Sequence, residues 1–432
     1  MAGSRRTGRM ARDGARDRSS VGTGRWVRHG RSGDEVRAAV IGAGIAGLAC
    51  ARQLALAGWQ VDVVERADGP RADGYMMDFF GLGFDAAERI GVLPRLRKAS
   101  YRIGSVEYVD ARSGRRTASI DYDAFASALG GRLLSLMRPD LELVLLDALG
   151  DAPDGSVRVH YGVPYRASEA ADAGTELGAR LAGADLVIGA DGVHSGVREA
   201  LFGDETQFVR PLGLRAAAYV IDGAPDLHAE FDGRFVLTDT VDRQAGIYGL
   251  RDGRVAAFLA YREDAQEGVD PDEDAPTRLR RVFGGLWSPI DRLLERCPAH
   301  PYDDVVAQVV LPRWHRGSTV LAGDGCQAVS LLAGQGASMA IAGAELLTDL
   351  VGPCRDAASI EAALGEYERR WRPVVEEKQA AGRRAANTFL PPDRFRLLLR
   401  RWALRASTLP VIDALVMRSI AGGTGLKGRT GV

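Results

Sequence analysis

Hydrophobic residues near the start of the chain follow two kinds of pattern, short continuous runs and a segment with helical spacing. The run in RAAVIGAG (37–44) ends in glycine, which is typical of a buried parallel strand followed by a turn. The apolar and small residues of IAGLACARQLALAGW (45–59) recur with the period of a helix, and QVDVVER (60–66) is a second apolar run. This pattern predicts a strand–helix–strand unit of about 30 residues.

Three glycines, Gly42, Gly44 and Gly47, lie at the turn between the first strand and the helix. Gly42 permits a tight turn, Gly44 lets the backbone approach a pyrophosphate, and Gly47 lets the helix pack against the strand. The helix N-terminus directs N–H groups and partial positive charge at the phosphates. Glu65 ends the second strand, where its carboxylate can bind ribose hydroxyls and disfavours a 2′-phosphate. We therefore expect a dinucleotide site that disfavours NADP, although this motif alone does not separate FAD from NAD.

Two later segments also place an acidic residue after a buried strand. In DLVIGADGVHSGVREALFG (185–203), Asp191 is positioned to bond a backbone group or a cofactor hydroxyl, and Arg198 to meet a phosphate. In STVLAGD (318–324), the strand ends at Asp324. A glycine turn and a helix rich in small residues follow, and such a turn allows a second close approach of the backbone to a cofactor.

With these three motifs in this order, the chain resembles the flavin-dependent aromatic hydroxylases typified by para-hydroxybenzoate hydroxylase. The resemblance covers roughly Arg37 to Arg383 and is nearest to the subgroup that includes the tetracycline-inactivating monooxygenases. In that family GxGxxG, DGxxSxxR and GD together bind FAD. The implied fold is α/β, with a Rossmann-like FAD-binding domain of the para-hydroxybenzoate hydroxylase type, an inserted antiparallel β-sheet substrate domain and a C-terminal helix.

Positions that match the family's motifs are the candidate cofactor-binding residues. The resemblance implies that Glu65 binds the adenosine ribose, with Arg66 beside it, and that Asp324 bonds the ribityl or phosphate region. It also implies that Arg138, before a leucine-rich helix, contacts the cofactor; the alternative is a solvated arginine at a helix start. The complete set is Gly42, Gly44, Ile45, Ala46, Gly47, Glu65, Arg66, Arg138, Asp191, Gly323, Asp324, Gly334, Gln335, Gly336 and Ala337.

The chain departs from the family pattern beside the third motif. Many members carry a proline pair where this chain has Ser330 and Leu331, and many carry histidine where it has Gln327. The turn beside the flavin is therefore expected to differ in shape. The substrate-contacting residues of the tetracycline-inactivating enzymes have no recognisable matches here, so their substrate is not carried over.

The resemblance implies an FAD-dependent monooxygenase of secondary metabolism. NAD(P)H, as a transient co-substrate, reduces the FAD, and the reduced flavin reacts with O₂ to form a C4a-hydroperoxide. This species transfers one oxygen atom to an aromatic, phenolic or polyketide-like small molecule. A second GxGxxG is absent from the sequence, in agreement with a family that lacks a separate NAD(P)H domain, and no catalytic residue is identified.

Two alternatives to hydroxylation stay open. One is a flavin-dependent reductase or a Baeyer–Villiger oxygenase on the same fold. The other is a redox-inactive binding protein. The intact glycines and the two acids, Glu65 and Asp324, argue against the second alternative, because a site that binds no flavin need not keep them.

Four further apolar runs, separated by glycine turns, predict an antiparallel sheet over one face of the flavin. The runs are GLRAAAYVIDG (213–223), GRFVLTDTV (233–241), QAGIYGLRDG (244–253) and RVAAFLAYRED (254–264). Aromatic side chains of these strands are either substrate-pocket residues or core residues, and the candidates are Tyr219, Phe235, Tyr248 and Phe258. The segment GYMMDFF (74–80) is a further candidate border of the active site or core, through Met76, Met77, Phe79 and Phe80.

Composition adds few constraints on function. The 432 residues carry a formal net charge of −1, which gives no whole-chain argument for nucleic-acid binding. No run of about 18 apolar residues predicts a membrane span. The four scattered cysteines form no CxxC pair, so neither a disulfide framework nor a metal site is expected and a reducing cytoplasm fits best. Cys326 is expected to be a buried structural thiol, and His194 lies either near the cofactor or in a surface turn. The oligomeric state cannot be derived.

The predicted organisation has four parts. The first residues are rich in arginine, glycine and serine, which is typical of a disordered basic tail. The segment RFRLLLRRWALRASTLPVIDALVMRSI (394–420) is apolar with interleaved arginines, which predicts a helix packed on the body or, alternatively, a helix on a membrane surface. The expected boundaries are 1–36 for the tail, 37–205 and 300–383 for the FAD-binding domain, 206–299 for the substrate-binding β-sheet domain and 384–432 for the C-terminal helical segment.

Overall fold

The computed structural model describes residues 35–71, 74–263, 273–330 and 334–406. Residues 1–34 of the predicted tail and residues 407–432 of the predicted C-terminal segment lie outside these ranges.

Within the described ranges, strands and helices alternate along the first part of the chain. The strands are β1 (Arg37–Ile41), β2 (Gln60–Val64), β3 (Met76–Phe80), β4 (Ser105–Val109), β5 (Arg116–Asp121), β6 (Leu133–Met137), β7 (Val157–His160), β8 (Leu186–Gly189), β9 (Val209–Ile221), β10 (Arg234–Thr238), β11 (Arg243–Gly249), β12 (Val255–Arg262), β13 (Tyr302–Val309), β14 (His315–Arg316) and β15 (Thr319–Leu321). The helices are α1 (Ile45–Leu56), α2 (Leu82–Arg89), α3 (Leu93–Ala99), α4 (Tyr122–Ala128), α5 (Arg138–Ala148), α6 (Ala167–Ala170), α7 (Glu176–Ala182), α8 (Gly196–Phe202), α9 (Pro225–Phe231), α10 (Ala275–Phe283), α11 (Ser288–Leu294), α12 (Asp324–Gln327), α13 (Gly336–Val351), α14 (Ala357–Phe389) and α15 (Arg394–Ala406).

A six-stranded sheet contains the predicted strand–helix–strand unit. Its order is β14–β15–β8–β1–β2–β7, and all neighbouring strands run parallel except β14 and β15. Parallel strands that helices cover are buried, and this is why their sequences are continuous apolar runs. Helix α1 packs closely against α13 and α5. Since β2 lies on one side of β1 and β8 on the other, the chain order reverses at β1. In α/β sheets a ligand site forms at such a position, outside the carboxyl ends of the strands.

A seven-stranded sheet contains the four predicted strands of the insertion. Its order is β13–β9–β12–β11–β10–β4–β5, so the antiparallel series β9 to β12 is confirmed. The sheet is larger and more mixed than expected. β4 pairs in parallel with β10, and β13 pairs with β9, although these two partners lie outside 206–299. The division into domains at those boundaries stays a prediction.

The two faces of the seven-stranded sheet pack against different elements. One face forms a core cluster with α10 and α11. The other face packs on β3 and β6, a two-stranded antiparallel pair, and Met77 of β3 lies close to the turns that follow β1 and β15. Residues of this second face therefore lie near the carboxyl edge of the six-stranded sheet, where the predicted motifs meet.

The C-terminal segment forms two helices in its described part. The 33-residue α14 packs on α13, and α15 turns back to lie along β5. None of the helices in the described ranges combines the length and apolarity that a membrane span requires.

Candidate functional site

A cavity of about 430 Å³ lies at the carboxyl edge of the six-stranded sheet. It is lined by the glycine turn after β1, the acid after β2, the turn after β8 and the turn after β15. Among the predicted cofactor residues, all of them described, only Gly47 and Gln335 lie outside the lining. The three motifs, which are far apart in the sequence, are thus brought together around one cavity.

The glycine turn after β1 leaves space that a ligand can fill. A Cβ atom on Gly44 would meet no other atom within 4 Å, and Gly44 precedes the free N–H groups at the start of α1. Gly42 has a φ of +105°, and a Cβ there would lie 2.4 Å from the Ala190 carbonyl oxygen. Gly47 lies behind the turn, where a Cβ would lie 1.9 Å from the Gly42 carbonyl oxygen. Two of the glycines are therefore required for packing, and the third borders open space.

The Glu65 carboxylate is fixed at the end of β2 by two backbone hydrogen bonds. One oxygen accepts from the Ala43 N–H at 2.9 Å and the other from the Ala67 N–H at 3.0 Å. The first of these bonds ties the acid to the glycine turn. Because each carboxylate oxygen can accept more than one bond, both oxygens are still able to accept from hydroxyl groups in the cavity.

Asp191 organises the turn after β8. Its carboxylate accepts a hydrogen bond from the Ser195 hydroxyl at 2.5 Å and one from the Val197 N–H at 3.1 Å. Burial raises the pKa of Asp191, although these two hydrogen bonds lower it. Asp191 lines the cavity, and its side chain shapes the start of α8 there.

Arg198 does not face the cavity, so the prediction that it meets a phosphate is wrong. Its side chain is fully buried, and it donates to the Gly325 carbonyl at 3.2 Å and to the Glu205 carboxylate at 3.1 Å. It faces inward because it lies in the first turn of α8, on the side that packs against the turn after β15. Arg198 therefore joins the second motif to the third.

A further part of the cavity wall carries an acid and an arginine. Asp324 begins α12 and faces the cavity; burial among the surrounding groups raises its pKa, and nearby Arg138 lowers it. The Arg138 guanidinium lies 3.3 Å from the Glu142 carboxylate. Burial lowers the pKa of Arg138, but Tyr75, Glu142 and Asp324 outweigh this and the net pKa is raised. Arg138 is thus a charged residue of the cavity wall rather than a solvated one.

Two tyrosines that the sequence reasoning missed, Tyr75 and Tyr302, line the cavity near Arg138 and Asp324. Their ring centroids are 5.7 Å apart, and burial raises the pKa of both phenols, so both are neutral at physiological pH. Tyr302 begins β13, a strand that was not predicted. The apolar pattern of VVAQVV (305–310) was the signal that could have located it.

The turn after β15 contains the positions that depart from the family pattern. Gln327 is buried, donates to the Met339 carbonyl at 3.2 Å and accepts from the Trp371 ring N–H at 2.5 Å. Ser330 has a φ of +97°, in the left-handed region that favours glycine. Leu331 lies outside the described residues. Of the described positions that depart from the pattern, Ser330 therefore lies in an uncommon backbone conformation.

Three of the four predicted pocket aromatics lie one layer behind the cavity. Phe235, Tyr248 and Phe258 are on the sheet face that is turned toward β3, but they do not line the cavity. The Phe258 ring lies 6.2 Å from the Tyr75 ring, and the Tyr248 hydroxyl accepts from the Met76 N–H at 2.8 Å. Phe258 therefore supports the cavity wall that Tyr75 forms, and Tyr248 holds the adjacent backbone of β3.

Tyr219 lies on the opposite face of the same sheet, so the prediction that it lines a pocket is wrong. It is fully buried in the core cluster under α10 and α11. The pairing explains this position: Tyr219 is opposite Ala257, the neighbour of Phe258, and successive residues of a strand face opposite sides.

The segment around β3 contributes to both the cavity and the core. Met77 lines the cavity, and Met76 packs against the cluster of Tyr248. Phe79 is fully buried in the main core, and Phe80 is partly exposed at the end of β3 and does not line the cavity. Only one of the four residues named from this segment therefore borders the site.

His194 lines the cavity at the turn after β8. Its ring lies 3.0 Å from the Glu205 carboxylate and 3.4 Å from that of Asp304. Burial lowers the pKa of His194, but the hydrogen bond to Glu205 and the nearby Asp304 outweigh this and raise it.

Cys326 is buried, and burial raises the pKa of its thiol well above the usual range. Within the part of the chain that the structure describes, no cluster of residues could hold a metal ion.

Comparison with known proteins identifies relatives along most of the chain. A family model described as an FAD binding domain matches residues 35–380. An uncharacterized protein of Mycobacterium tuberculosis is 31% identical over 79% of this chain and 91% of its own. A 3-amino-4-hydroxybenzoate 2-monooxygenase of Streptomyces cremeus is 27% identical over 90% of this chain and 96% of its own. The crystal structure of tetracycline destructase Tet(51) has a TM-score of 0.70 at 23% identity, over 92% of this chain and 100% of that one. At this identity the structural likeness establishes a shared fold.

Proposed function

Because the chain belongs to the FAD binding domain family and is an FAD-dependent monooxygenase, we propose that it uses NAD(P)H and O₂ to hydroxylate an aromatic, phenolic or polyketide-like small molecule. One observation carries the proposal. Three motifs from distant parts of the chain line one cavity, which has open space beside Gly44 and has Asp324 and Arg138 in its wall.

The residues present fit FAD. The free N–H groups at the start of α1 and the space beside Gly44 suit a pyrophosphate, because a helix N-terminus binds anions. Glu65 would bind the adenosine ribose, Asp324 the ribityl or phosphate region, and Arg138 would contact the cofactor. When bound, FAD supplies the redox chemistry, in which electrons taken from NAD(P)H activate O₂.

The protein's own residues would position the substrate ring and exclude water. Tyr75 and Tyr302 present neutral aromatic surfaces to the cavity, with Phe258 packed behind Tyr75. Aromatic rings bind other rings by offset or edge-to-face contacts. A planar ring compound therefore suits this part of the cavity, and the names of the Streptomyces relative and of the tetracycline destructase both refer to ring compounds.

A cytoplasmic location is part of the proposal. The four cysteines, Cys50, Cys297, Cys326 and Cys354, are all free thiols. Proteins of reducing compartments keep their cysteines in this state.

The test is to supply the purified enzyme with NADPH or NADH, isotopically labelled O₂ and a panel of phenols, ketones and unsaturated compounds. An accepted phenol should accelerate coenzyme oxidation and yield a product that carries one labelled oxygen on its ring. A labelled oxygen inserted into a carbon–carbon bond would instead indicate a Baeyer–Villiger oxygenase. A saturated product without label would indicate a reductase, and either result would contradict hydroxylation.

A further inference from the structure

Helix α15 exposes an apolar stripe on the side that is turned away from the sheet. Phe395, Leu398, Leu399 and Trp402 are spaced three and four residues apart, so they share one face of the helix. Their exposed fractions are 76%, 59%, 54% and 67%. Four large apolar side chains in one row form a patch rather than scattered exposed residues, and such a patch indicates an interaction surface.

The inner side of α15 is fastened to the seven-stranded sheet. The Arg400 guanidinium lies 2.7 Å from the buried Asp239 carboxylate, and Arg401 bonds its other oxygen. The Thr117 hydroxyl donates to Asp239 at 2.8 Å, and Arg405 donates to the Thr117 carbonyl at 2.9 Å. These bonds fix the helix in the orientation that turns its apolar stripe outward.

Arginines outnumber acidic residues around the stripe. α15 carries five arginines and no acidic residue. Helical spacing places Arg394 on one flank of the stripe and Arg396, which lies 3.7 Å from Asp393, on the other. The hairpin between β4 and β5, close to the C-terminal end of α15, adds the exposed side chains of Arg112 and Arg115, and it also carries Asp110, which lies 3.5 Å from Arg401.

We propose that α15 binds the surface of an anionic lipid bilayer. The apolar stripe would enter the boundary between headgroups and acyl chains, and the flanking arginines would contact lipid phosphates. A helix with aromatic and leucine side chains on one face and arginines at its edges has the composition of helices that lie in this plane. Arginine side chains can reach the phosphates while their aliphatic stems stay apolar.

A second copy of the chain is a less favourable occupant of this surface. A two-fold contact through the stripe would place the same patch of each copy opposite the other. The arginines that flank the stripe, Arg394 and Arg396, would then approach those of the other copy, and the neighbouring acid Asp393 already lies 3.7 Å from Arg396 of its own copy. An anionic bilayer has the complementary charge.

The test is co-sedimentation of the full-length, FAD-loaded enzyme with vesicles of phosphatidylcholine, alone or mixed with phosphatidylglycerol. We expect binding to the mixed vesicles that weakens at high salt, and little binding to phosphatidylcholine alone. The double variant Leu398→Asp, Leu399→Asp should bind at least about tenfold more weakly, because charged side chains do not enter the acyl boundary. The matched control Leu143→Asp, at a leucine of α5 that is 46% exposed, should bind like the wild type.

Both variants lie outside the cavity, so FAD content and coenzyme oxidation should stay at the wild-type level in each. Failure of the wild-type enzyme to bind the mixed vesicles would overturn the lipid proposal without touching the proposed function. Equal binding by the double variant would also overturn it. A third contrary result would be that the wild-type enzyme is a dimer, the double variant is a monomer and neither protein binds vesicles. The stripe would then be a contact between two copies of the chain.

Discussion

Replacing Gly44 by alanine should separate the stability of the fold from the affinity for FAD. Gly44 has φ −80° and ψ −174°, which alanine adopts without strain, and its Cβ would meet no atom within 4 Å. The apoprotein therefore loses no contact. Because alanine has less conformational freedom than glycine in the unfolded chain, we expect an increase of ~0.4–1 kcal/mol in the free energy of unfolding.

The same methyl group occupies the space that the proposed pyrophosphate needs. Moving the phosphates away from the start of α1 would weaken about two hydrogen bonds between N–H groups and charged oxygens, each worth roughly 1.5–3 kcal/mol. A loss of ~3 kcal/mol corresponds to an increase of about 100-fold in the Kd for FAD. Flavin fluorescence titration measures this Kd, and circular dichroism measures the thermal unfolding of the apoprotein.

Gly47→Ala is the matched control, because its Cβ would lie 1.9 Å from the Gly42 carbonyl oxygen. This variant should unfold at a lower temperature even without cofactor, since the backbone of α1 must move away from β1. Unchanged FAD affinity in Gly44→Ala would show that no phosphate approaches this turn. An apoprotein of Gly44→Ala as unstable as that of Gly47→Ala would refute the reasoning about free space.

Three further substitutions test other parts of the structure. Asp324→Asn should raise the Kd for FAD about tenfold in a fluorescence titration, since a charge-assisted hydrogen bond is lost; an unchanged Kd would contradict the role of Asp324. His194→Gln should lower apoprotein stability at about pH 5 by less than ~1 kcal/mol and leave it unchanged at about pH 9. The pKa of His194 is raised in the folded state, so its ion pairs stabilise the fold below the ordinary pKa, and this stabilisation is lost as pH rises through the folded pKa; equal losses at both values would contradict this. Asp239→Asn should release α15 at a cost of about 3 kcal/mol, because Arg400 is left buried without a partner carboxylate; limited proteolysis detects the release, and an uncleaved α15 would count against it.

The sequence was sufficient to predict the parts of the site that local backbone geometry controls. The turn after β1 needs glycine at Gly42 and Gly47 for steric reasons that appear in the spacing of the motif. The strands of the insertion were also predictable, because glycine turns separate runs of apolar and aromatic residues.

Strand register and helix orientation were not predictable from the sequence. Tyr219 and Phe258 lie on adjacent strands, and a shift of one residue in their pairing would exchange the faces on which they lie. Whether the Arg198 side chain faces the cavity or the core similarly depends on which side of α8 packs inward. Tyr302 was missed because β13 is added to the seven-stranded sheet from a distant part of the chain, and local patterns do not show which sheet a strand joins.

The most direct test of the central claim is the redox behaviour of the purified, FAD-reconstituted protein. The protein should show the two visible absorption bands of oxidised flavin. NADPH or NADH added without oxygen should bleach these bands, and admitting O₂ should restore them. A protein that takes up no FAD, or one whose bound flavin is neither reduced by a nicotinamide coenzyme nor reoxidised by O₂, would contradict the account.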